Sequence, residues 1–520
     1  MKTFTTTGVC TPEKNYMVDL SSRLNRIKTM VDEGLYFTIN RARQYGKTTT
    51  LTALRSYLAP QYEVISLDFQ GISSGGFDNE SSFIKAFCRQ ILQKQRHGCI
   101  PEGIMARMRD FTNNSDSGLV LDELFEVLTD WCDRAEKSIV MIIDEIDSAT
   151  NNQVFLDFLA QLRLQYLNRD TKGAAAFQSV ILAGVTDVKN MKRKLRPDEA
   201  HKFNSPWNIA ADFNVDMSFN QSDIAGMLKE YEADHHTGMD LEAVAQTIED
   251  YTSGYPFLVS RICQLLDDDG SLPWDTPGIS EIVRRIVSMR NLLFDSLMGK
   301  VYENGRLRDI LWRILFAGES VSYNAYDVGI SDAEMYGFVC NNHGTVSITN
   351  RIFEMLLYNF FLSQVELDSP TYKVGAEEKR SFVDSGHLDM EQVLERFVVI
   401  YDDLYGDKDE TFDEAEGRQR FLLYVRPIIN GTGNYYIEAQ TRNNKRMDIV
   451  IDYKGEQYVV ELKIWRGQKH HEDGEKQLCG YLTRMHLDKG YMLTYCFNRE
   501  KKIGLARRTV DGKKLVEAVV

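Results

Sequence analysis

The stretch Leu35–Leu58, LYFTINRARQYGKTTTLTALRSYL, decides the fold of the front half of the chain. It predicts a short strand, a tight loop that ends in Gly46-Lys47-Thr48, and then a helix. The N–H groups of such a loop and of the following helix N-terminus bind phosphate oxygens, the lysine reaches the β- and γ-phosphates, and the threonine hydroxyl can ligate Mg²⁺. Seven consecutive residues are therefore the predicted nucleotide ligands: Arg43, Gln44, Tyr45, Gly46, Lys47, Thr48 and Thr49.

A second motif strengthens this prediction. SIVMIIDEIDSA, Ser138–Ala149, is typical of a buried strand that ends in Asp144-Glu145. In that position Asp144 would hold Mg²⁺ through water, and Glu145 would polarise the attacking water. An acidic strand end or a helix cap is the plain alternative, but the order of the two motifs favours a nucleotide site.

Two further residues are weaker candidates for contacts to the nucleotide. Thr186 ends the apolar strand SVILAGVTD, where a γ-phosphate sensor would stand, and Arg261 lies on a predicted helix after SGYPFLVS. Each could equally be an ordinary polar residue with its hydrogen bonds satisfied.

The alternation of strands and helices predicts an α/β fold with a parallel sheet over residues 1–215. Four strands are expected: Leu35–Asn40, Tyr62–Phe69, Ser138–Ile143 and Ser179–Ala183. We predict a helical lid over 216–300, capped at its start by Asn220 or Ser222. A small winged-helix-like region over 301–370 would contain a hairpin around Asn342-His343-Gly344, and the polar stretch 368–389 is the expected linker. Residues 371–520 form the expected C-terminal α/β domain.

A second constellation lies in YYIEAQTRNNKRMDIVIDYKGEQYVVELKIW, Tyr435–Trp465. A hairpin turn at Tyr453-Lys454-Gly455 would bring Asp448 near Glu461. The side-chain period of two puts Glu461 and Lys463 on one face of the strand. Two carboxylates and a lysine are suited to metal-assisted hydrolysis of a phosphodiester. An exposed Glu-x-Lys pair is the alternative, but the strand is otherwise apolar, and unpaired buried charges are costly.

Bulk properties exclude several classes of protein. The sequence shows no apolar run of about 18 residues and no signal-like apolar start, so we expect a cytoplasmic protein with no membrane partner. The eight cysteines form no Cys-x-x-Cys pair, which favours reduced thiols. A net charge of −15 argues against non-specific coating of nucleic acid. Residues 434–520 nevertheless hold 17 Lys and Arg against 12 Asp and Glu, a modest indication of a local polyanion site.

The front half resembles the bacterial AAA-ATPase-like family over about residues 12–300. The resemblance rests on five segments: RARQYGKTTTL, the DEID strand, the AGVTD strand, SPWNIA at Ser205–Ala210, and SGYPFLV. In that family an arginine-rich loop replaces the first glycine of G-x-x-x-x-G-K-[ST], which accounts for Arg41. The resemblance implies ATP binding with slow hydrolysis.

The back half resembles the PD-(D/E)XK nuclease superfamily over about residues 390–500, and so implies a restriction-endonuclease-like fold. Asp448, Glu461 and Lys463 match the core motif, although Met447 stands where a proline is usual. The resemblance implies Mg²⁺ or Mn²⁺ at this site. It also implies further residues: Glu416 (alternative Glu414) as an acidic ligand, Glu438 near the metal, and Gln477 and Tyr481 as nucleic-acid contacts.

The sequence therefore predicts an ATPase coupled to a metal-dependent nuclease, with DNA favoured over RNA and defence against foreign DNA as one role. The alternative is a nucleotide-switched regulatory or nucleic-acid-binding protein that does not cleave, and a purely structural ATP site is a third hypothesis. A homo-oligomer is a further expected partner. Three residues remain open as an arginine finger: Arg163, Arg193 and Arg196.

Overall fold

The computed structural model describes residues 2–94, 100–113, 118–186, 207–316, 321–366, 368–384, 386–406, 411–430, 432–436, 449–498 and 501–520. They divide into two compact units, Met1–Ser218 and Phe219–Val520. The four predicted domains of the sequence analysis stay predictions.

The first unit alternates strands with helices. Its described helices are α1 (Ser21–Asp32), α2 (Lys47–Leu58), α3 (Glu80–Lys94), α4 (Glu102–Asn113), α5 (Leu121–Arg134) and α6 (Gln153–Lys172). Its described strands are β1 (Phe37–Asn40), β2 (Glu63–Asp68), β3 (Ile139–Asp144) and β4 (Ser179–Gly184). All four predicted strands and the parallel sheet are confirmed.

The strand order of this sheet is β1-β4-β3-β2, with every pair parallel. An isolated parallel bridge from Phe37 to Ala211 continues the pairing beyond β1. Because the strands are parallel, their carboxyl ends meet at one edge, where Asp68 lies in register with Asp144 and Asn40 with Gly184. That edge faces the loop between β1 and α2.

Aromatic side chains fill the core of the first unit. Phe69 contacts Phe83 and Phe155 edge to face, with ring centroids 5.9 and 5.7 Å apart. Trp207, from the segment SPWNIA, is fully buried, and its indole N–H donates to the Thr38 hydroxyl at 2.9 Å. Ser205 and Pro206 of that segment lie outside the described residues.

The second unit begins with four helices, α7 (Gln221–His235), α8 (Leu241–Thr252), α9 (Pro256–Asp269) and α10 (Thr276–Ser288). Asn220 caps α7, since its side chain accepts from the Asp223 N–H and the Asp223 carboxylate accepts from the Asn220 N–H. The segment SGYP turns sharply at Gly254, which has φ +69° and lies against the backbone of Phe219. A Cβ there would lie 2.0 Å from the Phe219 carbonyl oxygen, so only glycine fits this close approach.

The next elements along the chain are α11 (Leu292–Glu303), α12 (Gly305–Leu315), α13 (Val328–Met335), β5 (Val339–Asn342), β6 (Thr345–Ile348) and α14 (Arg351–Ser363). The antiparallel pair β5–β6 confirms the hairpin predicted around His343. An antiparallel bridge from Ser322 to Thr345 widens this small sheet.

The prediction of a linker over 368–389 is wrong. Helix α15 (Pro370–Glu378) lies within it, with Ser369 accepting from the Tyr372 N–H at its start. Gly375 packs so closely that a Cβ would lie 2.4 Å from the Tyr424 carbonyl oxygen. The polar composition concealed a capped helix, and a short strand pair follows it, β7 (Val383–Asp384) with β8 (His387–Leu388).

The remaining chain builds a mixed sheet between two layers of helices. Its helices are α16 (Met390–Tyr405), α17 (Glu414–Ile429) and α18 (Gln468–Arg484). Its strands are β9 (Gly433–Tyr436), β10 (Ile449–Tyr453), β11 (Glu456–Ile464), β12 (Lys489–Tyr495), β13 (Gly504–Val510) and β14 (Lys513–Val519). The described order is β13-β14-β12-β11-β10-β9.

Helix α18 covers one face of this sheet, and α16 and α17 cover the other. A Cβ on Gly474 of α18 would lie 3.1 Å from Lys463 Cε on β11. The Tyr495 hydroxyl, which points to the opposite face, donates to the Gly417 carbonyl of α17 at 2.7 Å. Each face of the sheet is therefore assigned to a helix by contacts.

A buried carboxylate ties α8 and α10 to this sheet. Asp452 on β10 accepts from the Tyr251 hydroxyl at 3.2 Å and from the Gly455 N–H at 3.1 Å, and Ser280 also bonds to it. Burial raises the pKa of Asp452, and these hydrogen bonds lower it. The helices that the sequence predicts as a lid thus pack within the second unit.

Across the described ranges, no helix has both the length and the apolarity that a membrane span requires.

Candidate functional sites

The loop between β1 and α2 has the backbone of a phosphate cradle. Gln44 and Gly46 both have left-handed conformations, with φ 56° and 78°. Left-handed residues turn successive N–H groups toward one concave side, which is how anion-binding loops are built. Gly46 immediately precedes α2, so the helix N-terminus opens on the same side.

Lys47 is buried and closes this loop. Its ammonium donates to the carbonyl oxygens of Arg41 at 2.9 Å and Ala42 at 3.0 Å. Burial lowers the pKa of Lys47, and the nearby carboxylates of Glu145, Asp147 and Asp144 partly offset that shift. The charged lysine is thus surrounded by carboxylates and backbone oxygens.

The other predicted loop residues have varied surroundings. The Thr49 hydroxyl accepts from the Cys10 N–H at 3.3 Å, which brings the N-terminal segment against the start of α2. Arg43 and Gln44 are exposed, and Tyr45 is partly exposed.

Thr48 and Asp144, predicted from separate motifs, are in direct contact. The Thr48 hydroxyl donates to Asp144 Oδ2 at 2.9 Å, and the Glu145 N–H donates to Asp144 Oδ1 at 2.9 Å. Hydroxyl and carboxylate oxygens are the ligands that Mg²⁺ prefers, so this pair fits a Mg²⁺ ion.

Glu145 has a strained backbone. Its φ of 54° lies in the left-handed region, which a non-glycine residue seldom adopts without compensation. Burial raises the pKa values of both Glu145 and Asp144, and their mutual repulsion adds to the shift on Glu145.

Asp147 is a candidate site residue that sequence reasoning missed. Its two carboxylate oxygens accept from the N–H groups of Val185 and Thr186, each at 2.7 Å. Gly184 allows this approach, since a Cβ there would meet Asp147 Oδ2 at 3.1 Å. Asp147 thereby fixes the end of β4 and sets the position of Thr186.

Asp68 is a second residue that was missed. It ends β2 beside Asp144, and its charge raises the pKa values of both Asp144 and Glu145. The Gln90 side chain forms two hydrogen bonds with the backbone of Asp68: it accepts from the Asp68 N–H and donates to the Asp68 carbonyl. The sequence could have indicated Asp68, because the strand predicted over Tyr62–Phe69 also carries an acidic residue near its carboxyl end, where parallel strands converge.

Among the remaining candidates, Arg261 lies on α9 and donates to Gln264 Oε1 at 2.8 Å. Arg163 lies on α6. Arg193 and Arg196 lie outside the described residues.

In the second unit, the buried Glu461 and the partly exposed Lys463 form an ion pair. Lys463 Nζ lies 2.8 Å from Glu461 Oε1, and the Glu461 side chain is fully buried. The prediction that both residues share one face of β11 is confirmed by this contact. A buried ion pair is weak evidence for stability, because desolvation offsets most of the attraction.

This ion pair belongs to a wider polar layer beneath α18. Thr494 is in register with Lys463 and donates to Glu517 Oε1 at 2.8 Å. Glu517 lies 3.5 Å from His471 Nε2, and Arg508 pairs with Glu517. His471, on α18, is buried and lies 3.6 Å from Glu475 on the same helix.

Sequence reasoning missed His471, Glu475 and Glu517, because only tertiary pairing brings them to the Glu461 face. The acidic and histidine side chains within the described residues include no group of three with a geometry that could hold a metal ion.

Asp448 and Glu438 lie outside the described residues. Asp448 directly precedes β10, whose first residue, Ile449, pairs with Val460. Gln477 and Tyr481 both lie on α18, where Tyr481 is buried and Gln477 is partly exposed.

The proposed role of Glu416 as an acidic ligand stays a prediction. Glu416 is in the first turn of α17, beside the alternative Glu414, and pairs with Arg420 one turn along the helix. Because α17 packs on the face opposite to Glu461, the described contacts do not bring these carboxylates together. A pattern of acids near a helix start cannot reveal which face of the sheet the helix will cover.

The first unit has the architecture of the P-loop NTPase class: a parallel sheet, a lysine-bearing phosphate loop after β1, and an Asp-Glu pair at the end of β3. The profile of a family described as an AAA-like domain matches residues 11–270, half of the sequence. The chain belongs to this AAA-like domain family and is an AAA-ATPase-like protein.

Solved structures with a similar arrangement include the Walker-type ATPase PABY2304 of Pyrococcus abyssi, with 14% identity, a TM-score of 0.47, and coverage of 68% of this chain and 99% of that chain. The Aeropyrum pernix ORC1 protein in complex with DNA has 13% identity and a TM-score of 0.31, covering 67% and 94% of the two chains. The Aeropyrum pernix ORC2 protein with ADPNP and ADP has 10% identity and a TM-score of 0.31, covering 66% and 91%. No curated protein matches the sequence.

Proposed function

We propose that the first unit binds and hydrolyses ATP. The observation that carries this proposal is the contact of Thr48 with Asp144 beside the buried Lys47, since it joins two independent motifs in one site. Mg²⁺, when bound, neutralises charge on the phosphate oxygens.

Each residue has a defined part in the proposed reaction. Loop N–H groups and Lys47 bind the β- and γ-phosphates, and Thr48 and Asp144 provide the oxygen ligands for the cation. Glu145 orients the attacking water and accepts its proton. Thr186 contacts the γ-phosphate from the end of β4, and Arg261 is proposed as a further nucleotide contact.

Glu145→Gln tests the hydrolysis step. The amide keeps the size of the side chain but cannot accept the proton, so ATP binding should persist while phosphate release falls by about 10²–10⁴-fold. Asp157→Asn, on the surface of α6, is the matched control and should turn over ATP like the wild type. Unchanged phosphate release by Glu145→Gln would rule out this role for Glu145.

We further propose that the second unit carries a nuclease-type site at Asp448, Glu461 and Lys463, which acts on nucleic acid, with DNA favoured. Support comes from the full burial of Glu461, paired with the partly exposed Lys463, in a polar layer where unpaired charge would be costly. Lys463 would orient the attacking water or stabilise charge on the scissile phosphate. Gln477 and Tyr481 are proposed to contact the nucleic acid.

Cleavage of labelled single- and double-stranded DNA and RNA, with Mg²⁺ or Mn²⁺, tests this proposal with and without ATP. Loss of cleavage in Lys463→Ala but not in Lys489→Ala would support it, and dependence on ATP would support coupling of the two activities. Intact ATP hydrolysis with no cleavage of any substrate would favour the alternative, a nucleotide-switched protein that binds nucleic acid without cutting it.

A further inference from the structure

Two arginines of α1 hold the segment through which the chain leaves the first unit. This exit segment comprises residues 213–218. Arg23 and Arg26 donate to its backbone carbonyl groups. The bonds run from Arg26 Nη2 to Asn214 at 2.9 Å, from Arg23 Nε to Asp216 at 3.2 Å, and from Arg23 Nη2 to Ser218 at 3.3 Å.

A third arginine reaches the exit segment from the phosphate loop itself. Arg41 Nη2 donates to the Val215 carbonyl at 2.9 Å, and its guanidinium lies 5.3 Å from the centre of the Phe213 ring. A second N–H of the same guanidinium donates to the Asn40 carbonyl at 2.8 Å. The exit segment is thus bonded to the residue that occupies the first-glycine position of the loop.

The backbone of Arg41 is at the same time a partner of Lys47, whose ammonium donates to the Arg41 carbonyl at 2.9 Å. A nucleotide phosphate competes for that ammonium, because an anionic oxygen is a stronger acceptor than a neutral carbonyl. Binding therefore draws the ammonium toward the phosphate and weakens its hydrogen bond to the backbone of the residue whose side chain contacts Val215. A glycine at position 41 would have no side chain to carry this change.

We propose that Arg41 is a positioning residue that links nucleotide occupancy of the phosphate loop to the order of the exit segment. The inference rests on the proposed binding of ATP and concerns regulation by that same site. The hydrogen bonds of Arg23 and Arg26 to the exit segment do not depend on nucleotide in this proposal, since α1 does not bind the phosphates. The hydrogen bond of Arg41 to Val215 is the one that responds to nucleotide.

Hydrogen exchange of the full chain, followed by mass spectrometry of peptides that cover residues 211–219, tests the proposal with and without ADP and Mg²⁺. In the wild type, nucleotide should change exchange of the exit segment severalfold. Arg41→Ala should exchange at one rate in both conditions. Arg26→Ala is the matched control, because it removes a bond to the adjacent carbonyl: basal exchange should rise while the response to nucleotide stays.

Phe213→Leu provides a second variant that leaves the loop sequence intact and should reduce the response in the same direction. A wild-type response in both Arg41→Ala and Phe213→Leu would overturn the proposal, as would an equal loss of response in Arg26→Ala. Calorimetric ADP titration of the same samples allows comparison at equal saturation. Failure of the wild type to bind ADP would refute the proposed function, whereas binding without any change in exchange would refute this inference alone.

Discussion

Removal of the Asp147 carboxylate should loosen the end of β4 and disable the nucleotide site without abolishing the fold. Two backbone N–H groups, of Val185 and Thr186, donate to this carboxylate at 2.7 Å. Hydrogen bonds to charged acceptors contribute about 1.5–3 kcal/mol each, and partial exposure of Asp147 favours the lower value. Asp147→Ala should therefore cost about 3 kcal/mol locally, and Asp147→Asn about half as much.

Hydrogen exchange of the full chain measures this loss at the donors themselves. Exchange at Val185 and Thr186 should accelerate about tenfold or more in Asp147→Ala, since 1.4 kcal/mol corresponds to a factor of ten. ATP turnover should fall more than ATP affinity, because Thr186 loses its position while the phosphate loop is unchanged. Asp122→Ala, which removes a side-chain bond to Gln161, serves as the control. Unchanged exchange at both amides would refute the assignment of Asp147 as the residue that fixes β4.

Three other changes have defined outcomes. Gly254→Ala adds a backbone clash to left-handed strain and should destabilise the second unit by more than about 2 kcal/mol in urea unfolding, whereas Gly238→Ala, with φ +76° and open space, should show the strain alone. Burial raises the pKa of Glu63 to about 7 from its ordinary 4.5. The contribution of Glu63 to the free energy of unfolding is therefore complete below pH 4.5 and is lost as the pH rises to 7. Glu63→Gln should flatten this pH dependence of thermal unfolding, and an unchanged slope would contradict the prediction. Lys463→Met leaves Glu461 buried without this partner and should lower the free energy of unfolding by about 3–5 kcal/mol. The double variant Lys463→Met with Glu461→Gln should recover most of that stability. Equal losses in the single and double variants would argue against a tightly paired site.

The alternation of strands and helices was sufficient to predict the first sheet, because each element of a βα repeat carries its own local pattern. The strand LYFTIN, the glycine-lysine-threonine turn and the helix after it are adjacent in sequence. The apolar strand before Asp144 is likewise a local signal. These elements were predictable from short windows of the chain.

Residues whose role depends on pairing between distant segments were not predictable in this way. Asp147 acts on β4, almost 40 residues further along the chain, and Glu517 joins the Glu461 face only through the register of three strands. Helix α15 was missed for a different reason. Ser369 and Pro370 are typical of a helix start, but the polar composition around them favoured the prediction of a linker.

Titration of the purified full chain with ATP and Mg²⁺, for the wild type and Lys47→Ala, tests the central claim most directly. Lys28→Ala, which removes a partly exposed lysine of α1 that pairs with Asp32, is the control. The account predicts saturable binding by the wild type and the control, with at least tenfold weaker binding by Lys47→Ala. Equal affinity of Lys47→Ala and the wild type, or no binding by the wild type, would contradict the assignment of this loop as a nucleotide site.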